Sequence, residues 1–219
     1  MKSEKARIGE GVYTAADAAR IMRIPYPKAK YWFDYYAKGR LIEDTKFQYY
    51  FPVRDIIAVN FLTLMEMFVF YKLKERGVST RQIREAHSVM AKQLNTPYPF
   101  ATEGVIAMGK KGLYFKHETD LTQASVGLQL ALPQVVIPFS EKIEFSNGLV
   151  SKYYPLGKKK TVVVNPNNQF GQPVIEGTNI LVETIDMLHK GKERISSICE
   201  LYGISKQNVR DAVAFCKAA

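Results

Sequence analysis

From the amino end, the chain runs as short amphipathic stretches separated by sharp breaks. Ala15, Ala16, Ala18 and Ala19 favour helix, and Ala18, Ile21 and Met22 share one face at helical spacing. Thr14 with Asp17 forms a capping pair at its start. Ile24-Pro25-Tyr26-Pro27 follows, and proline neither continues a helix nor lets its predecessor stay helical. The first helix is therefore predicted to stop at Met22 or Arg23. A second is predicted over about 28–37, beginning near Pro27, where a proline costs nothing. Ala29, Trp32, Phe33 and Tyr36 would form its inner face, with Lys28, Lys30, Tyr31 and Tyr35 pointing outward. Gly39 breaks it. Residues 40–42 and 47–51 read as two strands of a flap around a turn at 43–46. Leu41, Phe47, Tyr49 and Phe51 would cover the core, leaving Arg40, Lys46 and Gln48 free.

The run 56–71 is nearly all apolar but falls short of the roughly twenty residues a membrane span needs, and it contains Asn60, Thr63 and Glu66. It is predicted to be a buried central helix ended by Gly77, covered by a second subunit or by a larger core of the same chain. Ser79 with Gln82 caps the next helix. Its inner stripe is Ile83, Ala86, Met90 and Leu94, with Arg81, Arg84 and Lys92 outside. His87, one of three histidines, reads as a helix-surface residue. Beyond the break at 95–99, residues 104–117 suggest two strands around Lys110-Lys111-Gly112, and 121–139 is ambiguous between Pro133 and Pro138. Asn147-Gly148 is a hairpin signal, flanked by Ile143 and Phe145 before and Leu149 and Tyr153 after. A small mixed sheet joining the two ends of the chain is expected here.

The last part begins with a β-branched strand at 161–164, closed by Asn165-Pro166-Asn167-Asn168. Gly171-Gln172-Pro173-Val174-Ile175-Glu176-Gly177-Thr178 reads as a tight hairpin. It lacks the Lys-Ser/Thr end of a phosphate-cradling loop. Three helices are predicted: 182–189 stopped by Gly191, 195–202 stopped by Gly203, and a third from Ser205 towards Lys217. Ile195, Ile198, Tyr202, Val209, Val213 and Cys216 would form their core. The last two make a second helix-turn-helix pattern. Lys206, Gln207, Asn208 and Arg210 would be exposed there, placed either to read bases or to dock a protein. The fold class is thus mainly α with small β elements, an α+β chain in three segments: 1–96, 97–160 and 161–219.

Net charge is +10, which points to a polyanionic partner. From Asn165 onward six Lys/Arg balance six Asp/Glu, whereas residues 1–54 hold eleven cations against six anions. The positive field therefore lies with the amino-terminal unit. Cys199 and Cys216 read as reduced core residues. No metal-ligand spacing, nucleophile–base pair or paired carboxylates mark an enzyme, and no cofactor is expected. Met1 to Glu10 are polar with no apolar signal core, so a cytoplasmic location is the expectation.

Cations and aromatics outside, an apolar face inside and a flap beyond suit a recognition helix on double-stranded DNA. Lys28, Lys30, Arg40 and Lys46 would neutralise phosphates, with Gln48 also at the backbone. Tyr26, Tyr31 and Tyr35 would contact bases or sugars. The order from Tyr13 through Trp32, the flap, and Pro52-Val53-Arg54-Asp55 opening a long helix resembles the MerR-like winged helix, with Arg23 where that family usually has Gly. The run from Val164 through Gly171–Thr178 to Asn208-Val209 resembles a small helical module, first catalogued as a domain of unknown function, that occurs in prokaryotic antitoxins. The two together look like the larger VapB-type antitoxins. That resemblance implies a PIN-like ribonuclease toxin as partner and repression of the shared operon. A homodimer is expected, since winged-helix regulators read paired half-sites. The competing readings are a MerR-like regulator with a small-molecule effector held by the middle segment, and an adaptor that binds only protein.

Overall fold

The computed structural model describes residues 9–37, 50–53, 56–105 and 133–217. The predicted flap residues 38–49 and the middle stretch 106–132 lie outside them, as do the side chains of Tyr36 and of residues 50–53. The described residues form a mainly helical α+β chain carrying three small antiparallel sheets.

Strand β1 (Tyr13–Thr14) leads directly into α1 (Ala15–Met22). Thr14 caps that helix: its hydroxyl accepts from the Asp17 N–H, and the Asp17 carboxylate accepts from the Thr14 N–H at 2.9 Å. Asp completes the box here despite its shorter reach than Glu. Arg23 ends α1 in the left-handed conformation (φ 57, ψ 48), and Ile24 N–H returns to Ala19 C=O. Then α2 (Tyr26–Ala37) begins, with Pro25 C=O accepting from the Lys28 and Ala29 amides.

The apolar run 56–71 is not one helix. Ile56–Val59 is a strand, β3, pairing antiparallel with both β1 and β2 (Tyr50–Val53). The reason is local: β-branched Ile56, Ile57 and Val59 favour a pleated surface, and Asn60 then caps a new helix by accepting from Thr63 N–H at 2.8 Å. That helix, α3 (Phe61–Glu75), is buried except at Leu62, Lys72, Lys74 and Glu75. The chain itself supplies this cover. The predicted Ser79–Gln82 box opens α4 (Thr80–Gln93), whose Ile83, Ala86 and Met90 are buried. His87 is buried with them, contrary to its reading as a surface residue. Its Nε2 lies 3.0 Å from Glu66 Oε2 on α3, and its ring sits edge-on to Phe100. Glu66 also accepts from the Ala101 N–H at 2.7 Å. Burial pushes the Glu66 carboxyl above its ordinary range, against the pull of His87 and the amides.

Residues 103–105 form a helical turn where a strand was predicted to start, and 133–140 form a short helix, α5. The predicted hairpin follows as β4 (Ile143–Ser146) and β5 (Leu149–Tyr153), with Asn147 and Gly148 both at positive φ as its tight turn demands. Its pairing is antiparallel rather than mixed. It does join the two ends of the chain: Leu149 bridges to Thr102, and Tyr153 bridges to Val164.

Beyond the hairpin come β6 (Val162–Val163) paired with β7 (Val174–Ile175), then α6 (Val182–Lys190), α7 (Ile195–Tyr202) and α8 (Lys206–Lys217). Ile198, Val209, Ala212 and Phe215 centre their core; Cys199 and Cys216 are unbridged and pack against it. Asp211 is buried, a role its sequence position did not suggest. It accepts from Lys160 Nζ (3.0 Å), Thr161 N–H (3.1 Å) and Gln207 Nε2 (2.7 Å). Burial would raise its carboxyl, but these donors hold it below the usual range.

Candidate nucleic-acid interface

The helix α2 has two unlike faces because apolar and polar residues alternate at helical spacing. Ala29, Trp32 and Phe33 are buried against α1 and α3, and Trp32 lies edge-on to Phe70 with ring centroids 4.9 Å apart. Lys28, Lys30, Tyr26 and Tyr31 are exposed, as the sequence predicts. Tyr35 departs from prediction. It is half-buried, stacked on Tyr31 at 5.9 Å and edge-on to Trp32 at 5.8 Å. The three rings form one aromatic block whose outer member is Tyr31.

Lys28 is not a lone cation. Its Nζ stands 5.5 Å from the centre of the Tyr71 ring, and Lys72 Nζ stands 5.2 Å from the same ring. Such contacts fix an ammonium while leaving its charge outward. Lys30 has no such anchor among the described contacts. Arg40, Lys46 and Gln48 lie outside the described residues.

The second surface, on α8, is more heavily used by the fold itself. Asn208 and Ser205 cap one another: Ser205 N–H donates to Asn208 Oδ1 at 2.9 Å, and Asn208 N–H to Ser205 Oγ at 3.1 Å. Gln207 is engaged by Asp211. Lys206 and Arg210 stay exposed. In the lysine run 158–160, Lys160 is paired with Asp211 while Lys158 and Lys159 remain outside. Among the described residues no group of three or more His, Cys, Asp or Glu could hold a metal ion. No described helix is long and apolar enough to cross a membrane.

Residues 162–216 match a family described as "Protein of unknown function (DUF433)". This is the stretch from β6 to the end of α8. A Mycobacterium tuberculosis protein named "Putative antitoxin VapB45" is 21% identical over 223 residues, covering 92% of each chain. The crystal structure of Rv2018 from the same organism superposes with a TM-score of 0.75 at 19% identity, over 95% of this chain and 99% of that one. The chain is similar to both along nearly its whole length.

Proposed function

We propose that this protein is a DNA-binding antitoxin that neutralises a PIN-like ribonuclease toxin and represses its own operon, with no chemistry of its own. In this reading 1–96 is a MerR-like winged-helix unit, 97–160 connects, and 161–219 is an antitoxin-associated module. Lys28, Lys30, Arg40 and Lys46 neutralise phosphates, and Tyr26, Tyr31, Tyr35 and Gln48 reach bases, sugars or backbone. Lys206, Gln207, Asn208 and Arg210 mark a second DNA or partner surface. The protein works in the cytoplasm as a homodimer on paired half-sites.

The observation that carries the DNA half is the two-faced α2. Its apolar side is pinned by Trp32 on Phe70, and its other side offers Lys28, Lys30 and Tyr31 to solvent immediately after a tight turn. The toxin half is supported by likeness to a relative named as an antitoxin. A gel shift with duplex from upstream of its own gene tests the first half. Lys28→Glu or Lys30→Glu should each weaken binding about tenfold, roughly 1.4 kcal/mol, and an unchanged shift rejects the assignment. Co-expression with the nuclease encoded in the adjacent reading frame tests the second. Growth should be restored by the full chain.

A further inference from the structure

We propose that Arg23, Lys72 and Lys142 extend the cationic face of α2 into a second phosphate-contact patch for the same duplex. The inference rests on the DNA-binding reading above and adds three cations that the helix pattern does not contain.

The join between the two surfaces is Tyr71. Lys28 from α2 and Lys72 from the last turn of α3 stand over one ring, at 5.5 and 5.2 Å from its centre. Lys72 is also held in place: it donates to Glu75 Oε2 at 2.8 Å, while the Tyr71 hydroxyl donates to Glu75 Oε1 at 2.5 Å. Burial, then Glu75, pushes the Tyr71 phenol up to about 12. Burial favours a neutral Glu75, but its bonds from Lys72 and Tyr71 and the charge of Lys28 keep it ionised below the usual range. Glu75 thus serves to position Lys72.

From Lys72 the patch continues across an aromatic floor. Its Nζ is 5.8 Å from the Phe68 ring, and Phe68 packs on Phe139 (5.3 Å) and Tyr153 (6.0 Å). Lys142 is tied to the far side of that floor. Its N–H donates to Phe139 C=O at 2.9 Å, and its C=O accepts from Tyr154 N–H at 2.7 Å. Lys142 is half-buried, and burial together with the charges of Arg23 and Lys72 lowers its ammonium from the ordinary value. Arg23, exposed at the end of α1, acts on both Lys142 and Tyr153. Lys28 and Lys72 therefore share one ring with Glu75 bound beside them, Lys142 is tied to the aromatic floor beneath Lys72, and the charge of Arg23 reaches Lys142. Arg23 and Lys72 each repel the Lys142 ammonium, a cost that an approaching anion relieves. The four cations come from four separate segments, with Arg23 and Lys28 exposed and Lys72 and Lys142 half-buried, an arrangement that suits successive phosphates along a strand.

The test measures retention of the full chain on mixed-sequence duplex DNA as salt is raised. Lys142→Gln and Arg23→Gln should each reduce the slope of log affinity against log salt by about one. Lys142→Arg should keep it. Without DNA, Lys142→Gln should melt no lower than the parent, because it removes a like-charge contact. Unchanged slopes, with Lys28→Glu still weakening binding, would overturn the patch and leave the α2 reading intact. A Lys142→Gln protein that melts lower and binds less would assign the residue to the fold and overturn the patch as well. A parent chain not retained at low salt would overturn both readings.

Discussion

Glu66 and His87 each occupy an unusual position for an ionisable side chain. Both are buried, in a region otherwise built from Phe61, Leu64, Met65 and Met90. The Glu66 carboxyl is raised above its ordinary value of 4.5, chiefly by burial. A raised carboxyl contributes stability that is fully present below its unfolded value and is lost as pH rises through the folded one. Glu66→Gln mimics the neutral form and keeps an acceptor for the Ala101 amide. Its stability relative to the parent should therefore grow as pH climbs from 4.5 upward. Urea titrations at stepped pH would measure this, and parallel profiles would disprove it. The position of His87 was illegible in sequence because its partner belongs to another helix. Helical spacing places His87 beside Ala86 and Met90 but says nothing about a carboxylate arriving from α3.

Among the elements, those with an end signal were readable and those without were not. Thr14, Ser79 and Gly203 each mark a boundary close to where the structure has one, because side-chain capping and the left-handed turn are local chemistry; Gly191 also ends its helix, at φ −70. The run 56–71 has no period: apolar residues fill both β3, exposed at Ile56 and buried at Ala58 and Val59, and the buried α3, and apolar residues alone cannot separate a strand from a helix there. The one informative residue is Asn60, whose carboxamide caps α3 and also donates to the Tyr98 hydroxyl at 3.1 Å. Asn60→Ala should cost about 1–2 kcal/mol through loss of the cap and the tyrosine bond. Thermal melting would show this as a fall of roughly 2–8 °C. No change would mean that α3 is held by packing alone. The exposed face of α2 was legible for a similar reason, as one helix carries it. Arg23, Lys72 and Lys142 of the proposed patch belong to three segments far apart in the chain, so no spacing rule relates them.

Across the whole molecule, the amino-terminal and carboxy-terminal parts are joined at a tight seam. Val12 N–H donates to Phe170 C=O at 3.2 Å, and Arg20 bonds Gln172 at 2.6 Å and pairs with Glu183. At the centre, the Tyr13 ring lies against Gly171, where an added Cβ would sit 1.9 Å from the tyrosine oxygen. Gly171 also has φ +84, so a side chain there is strained on both counts. Gly171→Ala should destabilise the chain by about 2–4 kcal/mol, combining left-handed strain with overpacking. Among the described residues the buried Tyr13 hydroxyl has no hydrogen-bond partner. Tyr13→Phe should consequently be neutral or stabilising, since it deletes an unsatisfied donor. Equal melting of the Gly171→Ala variant and the parent would show the seam to be loose.

Tyr13 opens the very strand that leads into α1, and Val164 lies in the same apolar cluster. Proteolytic clipping ahead of Val162 would therefore not release a working amino-terminal piece. It would bare Tyr13 and the Phe61 ring beside it, an adhesive surface prone to aggregation.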